Sequence, residues 1–226
     1  MSSRLITTSL VDSVEWLKTA PDSACRDKPD ITWRQKAYDD LGNQLSRVWT
    51  GFSKATQRGV DFEKKVYAIL QSGQGWEDNG YSKELIHILE LCKGGKCYQK
   101  NKIFVKLADG EEYCLYGKYD ILKPEDILDL KTTASYKGAG KYLGGIQHKL
   151  YCYMENISRF KYVVSEFDEK DEDNLKIQHV YEVDYTMPSR AEIYEEVIER
   201  VTATIEYVKL YPELWEKYLS TFCLKW

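Results

Sequence analysis

The sequence lacks the signatures of several common protein classes. It has no Gly-x-x-x-x-Gly-Lys phosphate loop, which argues against a nucleoside triphosphatase. It shows no internal repeat, no low-complexity run and no apolar stretch typical of a signal peptide or membrane span. Because the six cysteines are scattered and no secretory signal is visible, we expect a protein of the reducing cytoplasm with no membrane partner.

The cysteines also lack the partners of a structural zinc site. Cys92 and Cys97 flank a Gly-Gly pair and invite a zinc interpretation, but no His or Cys lies at finger spacing from them. The net charge is −4 with a pI near 5.6, which argues against a broad surface that coats nucleic acid. A local basic groove is compatible with that charge.

Length and composition predict one soluble domain with a substantial core, since 43% of the 226 residues are hydrophobic. Strands that are followed by a helix and further strands predict an α/β fold with a central mixed sheet flanked by helices. We expect strands near 102–108, 112–121, 127–133, 160–166 and 175–184, and helices near 8–19, 32–50, 56–71, 82–91, 143–155, 189–210 and 212–221.

The most informative segment, residues 117–133, is predicted to form a tight β-hairpin. Pro124, Glu125 and Asp126 supply the turn signal between two apolar runs. If the turn centres on Pro124–Glu125, Asp120 and Asp129 lie directly opposite each other. Lys131 lies two residues beyond Asp129, so both side chains point to the same face.

Opposed carboxylates in a hairpin repel each other unless a positive charge lies between them. A divalent cation satisfies that requirement, and Mg²⁺ is held by one or two carboxylates together with substrate phosphates. The simpler interpretation is a solvated charged face. The apolar neighbours Ile127, Leu128 and Leu130 argue instead for a buried site, where a carboxylate needs a partner.

Two helices supply further candidate side chains. Gln147 and Tyr151 are four residues apart, so they share a helix face and offer an amide and a phenol to a phosphate or nucleotide. Glu63 borders an apolar stripe in the helix that begins near Arg58, from which it can reach a site between this helix and the sheet. Each feature alone is also compatible with an ordinary surface residue.

Together these residues resemble the PD-(D/E)XK nuclease superfamily, specifically the RecB-type and phage-type exonuclease branch with a Gln-x-x-x-Tyr motif. The resemblance lies in their order: Glu63 on a helix, Asp120 at a strand end, Asp129-Leu130-Lys131 on the next strand, then the Gln147 helix. It covers about residues 55–185, and residues 6–21 also resemble the N-terminal helix of such enzymes.

The resemblance implies a restriction-endonuclease-like core at about 55–185 in a single nuclease domain spanning 1–226, with helical additions at 1–54 and 186–226. It implies a DNA exonuclease of phage or prophage type that acts in recombination or repair and uses one or two Mg²⁺ or Mn²⁺ ions. The implied partners are DNA and a phage recombinase or single-strand-binding protein. The implied metal ligands are Asp120, Asp129, the Leu130 carbonyl and Glu63, and the implied catalytic residues are Glu63, Asp120, Asp129, Lys131, Gln147 and Tyr151.

The sequence departs from the family pattern at two places. Many RecB-type members carry His where this chain has Glu63, although Glu is the acid used in other branches. Some relatives hold an iron–sulfur cluster through four cysteines, several of them near the C-terminus. Only Cys223 lies near the end of this chain, so no such cluster is expected.

A basic, glycine-rich loop follows the hairpin. Residues 131–149 include four lysines and no acid, and residues 135–145 contain four glycines and two tyrosines. We expect this region to contact a phosphate backbone, unless it is an ordinary mobile loop. The expected nucleic-acid contacts are Lys137, Lys141, Lys149 and Arg58. By contrast, the acidic run 166–173 is expected to cap a hairpin and point into solvent.

Three other functions stay open at this point. The chain could be a nucleic-acid-binding module that kept the fold and lost catalysis, although an intact Asp120, Asp129 and Lys131 set argues against that. It could be a metal-dependent enzyme acting on a small phosphorylated substrate, or a structural partner of a recombinase.

Overall fold

The computed structural model describes residues 4–73, 75–76, 80–168 and 176–223. Within them, six strands form one mixed sheet: β1 (Arg4–Thr7), β4 (Lys96–Lys106), β5 (Glu112–Leu122), β6 (Asp126–Thr133), β7 (Arg159–Phe167) and β8 (Ile177–Thr186). A separate two-stranded hairpin consists of β2 (Ala24–Cys25) and β3 (Lys28–Thr32).

Helices precede, interrupt and follow these strands. They are α1 (Thr8–Thr19), α2 (Trp33–Leu45), α3 (Lys54–Ser72), α4 (Lys83–Cys92), α5 (Gly140–Leu143), α6 (Gln147–Glu155), α7 (Arg190–Lys209) and α8 (Pro212–Lys217), with a π-helical turn at Tyr218–Phe222. None of the helices in the described ranges is both long and apolar enough to cross a bilayer. The predicted fold class, a mixed sheet with flanking helices, is confirmed.

The sheet order is β1-β5-β6-β7-β8, and β4 also pairs with β5. β1 is parallel to β5 and β6 is parallel to β7, whereas β5–β6 and β7–β8 are antiparallel. β6 therefore lies between two neighbours, and its burial from Ile127 to Leu130 agrees with that interior position.

The chain divides into two compact units. The terminal unit comprises Met1–Gly51, Asn101–Gly117 and Ala191–Trp226, and the central unit comprises Phe52–Lys100 and Lys118–Arg190. The predicted single domain with a core at about 55–185 stays a prediction.

The terminal unit is built around the first strand. Arg4 to Thr7 pair in parallel with residues 113–116, and Leu5 and Ile6 are buried. Thr7 then caps α1 by accepting the backbone N–H of Leu10 at 3.1 Å, so the strand leads directly into the helix. The Tyr218 hydroxyl donates to the Leu5 carbonyl at 2.9 Å, which ties the C-terminal segment to this strand.

The core of the central unit joins α3 and α4 to β5–β8. Its buried members are Phe62, Val66, Tyr67, Leu85, Ile88, Leu89, Cys92, Ile121, Leu128, Leu130, Val163, Phe167 and Ile177. Close approach of α3 to β6 requires a small residue: a Cβ added at Gly59 would lie 3.2 Å from the Thr132 Oγ1. Gly59 thus lets α3 lie against the strand that carries Asp129 and Lys131.

A second close approach occurs where α4 turns into β4. Gly94 adopts φ +77°, a conformation natural to glycine. A Cβ at Gly95 would overlap the Cγ2 of buried Ile121 and lie 3.1 Å from the Cys92 carbonyl oxygen. We therefore expect Gly95→Ala to lower the free energy of unfolding by about 1–3 kcal/mol, as overpacking does in cores.

Urea denaturation measures this effect. Gly75→Ala is the matched control, because nothing lies within 4 Å of a Cβ there and no positive φ is required. The control should be neutral. Equal stability of the two variants would show that the turn beside Ile121 relaxes without cost.

The structure corrects several predicted elements. The expected helix 143–155 is interrupted: α5 ends at Leu143, and Gly144 and Gly145 precede α6, because glycine pairs disfavour helix. The helix expected at 32–50 ends at Leu45, and Arg47 adopts a left-handed φ of 55°. β4 begins at Lys96, six residues before the predicted strand, and β1–β3 were not predicted.

Candidate active site

The β5–β6 hairpin has the register predicted from its turn. Ile121 pairs with Leu128, and Leu122 pairs with Ile127. Extended by one residue, the same register places Asp120 opposite Asp129. A backbone hydrogen bond closes the turn: the Lys123 N–H donates to the Asp126 carbonyl at 2.8 Å.

Asp120 lies in a strongly negative environment. Its Oδ2 accepts the Leu130 N–H at 2.8 Å, which holds the carboxyl group against β6. Burial, together with the charges of Asp129 and Glu63, raises the pKa of Asp120 to about 8, although Lys131 and the Leu130 N–H oppose the shift. Without an added cation, this carboxyl group therefore resists ionisation.

Asp129 is held from two sides. It is 3% exposed on β6. The Gln147 Nε2 donates to its Oδ1 at 2.5 Å, and the Lys131 Nζ lies 2.6 Å from its Oδ2. Gln147 thus contacts the carboxylate directly and fixes its orientation.

Lys131 is the cation of the cluster and is 37% exposed. Burial alone would lower its pKa, but the carboxyl groups of Asp129 and Asp120 outweigh that effect and raise it. Lys131 is therefore a permanent ammonium at neutral pH. The predicted shared face of Asp129 and Lys131 is present.

Glu63 extends the acidic cluster from α3. It is half-buried, one helical turn after Gly59. Burial and the charge of Asp129 raise its pKa, while Lys131 and Lys118 lower it. These electrostatic couplings indicate that Glu63 lies near the two hairpin carboxyl groups, and its predicted role at the site stays a prediction.

Tyr151 has a more buried position than expected. It is 5% exposed, and its ring meets the Tyr119 ring edge-on, with centroids 4.7 Å apart. It also contributes to the raised pKa of Lys131. Its predicted role in positioning a DNA strand stays a prediction.

The predicted nucleic-acid contacts have different surroundings. Lys137 is exposed in the loop after β6 and Lys141 is exposed on the short helix α5, where its ammonium lies 5.6 Å from the Tyr142 ring centroid. Lys149 is half-buried on α6. Arg58 is half-buried too, with its guanidinium 5.6 Å from the Phe167 ring centroid. The predicted contact role stays a prediction for all four residues.

Glu166 corrects the expectation of an acidic run that points into solvent. It is half-buried on β7 and accepts the Tyr136 N–H at 3.1 Å and the Tyr181 hydroxyl at 2.8 Å. Tyr136 stacks on Tyr181 with centroids 4.0 Å apart and rings 8° from parallel. Glu166 therefore anchors the basic loop to the sheet. Residues 169–173 of that run lie outside the described ranges.

Tyr67 was missed as a site residue. It is 2% exposed on α3, four residues after Glu63. Burial, followed by the charges of Asp120 and Glu63, raises its pKa, so its phenol adjoins the acidic cluster. The i, i+4 spacing from Glu63 was the available signal.

The donors in this cluster fit a hard divalent cation. Asp120 and Asp129 supply carboxylate oxygens, the ligand type that Mg²⁺ and Mn²⁺ prefer. Burial raises the pKa of Asp120 most, and the charges of Asp129 and Glu63 add to it; a bound cation would offset this repulsion. In the part of the chain that the structure describes, no group of three His, Cys, Asp or Glu side chains lies close enough together to hold a metal ion. Asp120 and Asp129 are therefore the candidate side-chain ligands, and waters or substrate phosphates would have to supply the others.

Comparisons with known proteins show the fold. No protein-family model and no curated protein matches the sequence. Among solved structures, SSO0001 is 13% identical, covering 90% of this chain and 78% of its own, with a TM-score of 0.51. LHK-Exo in complex with dAMP is 14% identical, covering 96% and 94%, with a TM-score of 0.50.

LHK-Exo is an alkaline exonuclease from Laribacter hongkongensis. A phage-related exonuclease from Haemophilus somnus 129PT is 15% identical and covers 98% of this chain and 96% of its own, with a TM-score of 0.49. At this identity, the similarity to LHK-Exo in complex with dAMP shows a shared fold.

Proposed function

We propose that this protein is a Mg²⁺- or Mn²⁺-dependent DNA nuclease, specifically an exonuclease of phage or prophage type that acts in recombination or repair. The observation that carries the proposal is the cluster of Asp120, Asp129, Glu63 and Lys131 around one hairpin. Its similarity in fold to an exonuclease solved with dAMP supports it. A phage recombinase or single-strand-binding protein is the proposed protein partner.

Each side chain has a distinct proposed role. Asp120 and Asp129, with the Leu130 carbonyl, would hold the cation, and Glu63 would hold a metal-bound water. A divalent cation bound there would lower the pKa of a water and offset charge on the phosphate. The Lys131 ammonium, 2.6 Å from Asp129, offers positive charge to the reacting phosphate or orients the attacking water.

Gln147 and Tyr151 act as supporting residues in this proposal. Gln147 locks the Asp129 carboxylate through its 2.5 Å hydrogen bond, so the second oxygen faces Lys131. Tyr151 is buried beside Tyr119 and is electrostatically coupled to Lys131. Such packing keeps catalytic groups within the narrow geometry that turnover requires.

The direct test is incubation with single-stranded and double-stranded linear DNA in Mg²⁺, Mn²⁺ or EDTA. The proposal expects cleavage with either metal and none in EDTA. DNA binding without cleavage in both metals would favour the inactive binding module.

Stability of the metal-free protein should depend on pH through Asp120. The pKa of this group is about 8 in the folded state and about 3.9 in an unfolded chain, so the folded state binds the extra proton between these values. Its contribution to stability is complete below pH 4 and is lost as pH rises to about 8, by up to about 1.4 kcal/mol per pH unit.

Chemical denaturation in EDTA between pH 4 and 9 measures this slope. Asp120→Asn has no titrating group, so it should flatten the curve relative to the wild type. Saturating Mg²⁺ should also flatten it, because a bound cation favours the ionised carboxylates. Parallel curves for wild type and Asp120→Asn would exclude the raised pKa.

The basic loop should contribute to DNA affinity by neutralising phosphates. Changing Lys137 and Lys141 together to Ala should weaken binding and reduce the slope of log affinity against log salt by about one unit for each phosphate that is no longer neutralised. Anisotropy titrations at several salt concentrations in EDTA measure it. The control is Lys83→Ala/Lys93→Ala, which changes exposed lysines at the two ends of α4. An unaltered salt slope in the loop variant would show that residues 135–145 are an ordinary surface loop.

A further inference from the structure

A lysine-rich segment outside the catalytic hairpin has no role in the proposed mechanism. Between Leu91 and Ala108 the sequence has five lysines and no acidic residue, in a chain whose net charge is −4. In the central unit this segment forms the first half of β4. Burial alternates along the strand, so Lys96, Tyr98 and Lys100 are its exposed positions. Tyr98 thus lies between two exposed lysines along the strand.

Tyr98 is held in an unusual conformation. Its φ is +56°, in the left-handed region that aromatic residues rarely adopt. It is 37% exposed, its ring centroid lies 4.1 Å from that of Tyr67, and the Lys118 ammonium lies 4.6 Å from its centroid. Residues kept in sparsely populated conformations are concentrated at functional sites, where the surrounding structure enforces them.

These contacts connect Tyr98 to the acidic cluster. Tyr67 adjoins Asp120 and Glu63, and Lys118 lies within electrostatic reach of Glu63. The exposed Tyr98 ring is therefore one side chain away from the residues proposed to hold the cation. A substrate strand that enters the cluster would pass beside this ring.

We propose that Lys96, Tyr98, Lys100 and Lys118 form a contact surface for an unpaired DNA strand next to the active site, a β4 strip separate from the loop at 135–145. This surface would bind the substrate of the proposed nuclease site, so its role rests on the proposed nuclease function. A base stacks on Tyr98, and the lysines contact the flanking phosphates. The ring selects unpaired DNA because stacking needs an exposed base face, which a duplex covers with its own neighbouring pairs.

The test separates the ring from the backbone conformation. Tyr98→Phe keeps the ring, whereas Tyr98→Asn removes it and still tolerates a left-handed φ. Affinity for a fluorescent single-stranded oligonucleotide and for a blunt duplex is measured in EDTA, where no cleavage is expected. Tyr194→Ala is the control, since Tyr194 has a similar exposure of 40%.

We expect Tyr98→Asn to weaken single-strand binding about tenfold, with a much smaller effect on the duplex, while Tyr98→Phe and Tyr194→Ala bind like the wild type. Lys96→Gln/Lys100→Gln should reduce the single-strand salt slope by about 0.7 for each phosphate that is no longer neutralised, and this variant keeps the test decisive if Tyr98→Asn fails to fold. The proposed contact surface would be rejected if Tyr98→Asn bound single strands with wild-type affinity, or if it weakened binding to single strand and duplex equally. An unchanged salt slope in the lysine variant would also reject it.

The same experiment distinguishes the strip from the nuclease proposal. A wild-type protein that cleaves DNA with Mg²⁺, and a Tyr98→Asn variant that binds normally, would reject the strip alone. A wild-type protein that binds single strands through Tyr98 and cleaves nothing would reject the nuclease function alone.

Discussion

Asp129→Asn is expected to abolish DNA cleavage, by about a thousandfold or more, and to remove most affinity for Mn²⁺. The amide has nearly the shape of the carboxylate, so it can still accept the Gln147 hydrogen bond and the fold should survive. It lacks the negative charge that a divalent cation requires. It also leaves the Lys131 ammonium without its 2.6 Å partner.

Calorimetric Mn²⁺ titration, thermal melting and a cleavage assay measure these three consequences together. Asp126→Asn is the matched control, because Asp126 starts the same strand but pairs with Arg159 on the surface, at 2.6 Å. The control should retain activity and metal binding. Unchanged Mn²⁺ binding in Asp129→Asn would show that the opposed carboxylates of the hairpin are not the ligands.

Lys131→Ala is expected to lower kcat by a factor on the order of a hundred or more, the usual effect of losing a group that stabilises a transition state. Metal binding should be at least as tight as in the wild type, because the removed ammonium is a positive charge beside the two carboxyl groups. This pair of outcomes separates chemistry from metal binding.

Two companion variants sharpen the result. Lys131→Arg should rescue poorly, since a planar guanidinium cannot replace a compact ammonium in a tight site. Lys161→Ala, an ion-paired lysine on the neighbouring strand β7, should leave kcat unchanged. Near wild-type turnover in Lys131→Ala would make the Asp-x-Lys resemblance accidental and favour the binding module.

The β5–β6 hairpin was predictable because its determinants are local. The turn signal at 124–126 fixed the centre of symmetry, and period-two alternation then placed Asp129 and Lys131 on one face. The order of motifs indicated the fold. Helical spacing brought Gln147 and Tyr151 to one side of α6, although it did not reveal that Gln147 bonds to Asp129.

Other features depend on contacts that local patterns do not encode. β1 has four residues and pairs with a strand more than a hundred positions away, so no periodicity can develop within it. Glu166 is held by hydrogen bonds from two tyrosines on separate elements. A run of acidic residues in the sequence does not indicate such bonds. Tyr98, which contacts Tyr67 and Lys118, adopts a left-handed φ that contradicts the preference of its own residue type.

The central claim, a metal-dependent exonuclease, is tested most directly by digesting linear and covalently closed circular DNA side by side in Mg²⁺, Mn²⁺ and EDTA. An exonuclease needs a free end, so we predict that linear DNA is degraded to mononucleotides in either metal, that circles are spared and that EDTA stops the reaction. Intact linear DNA in both metals, or degradation that persists in EDTA, would contradict the account.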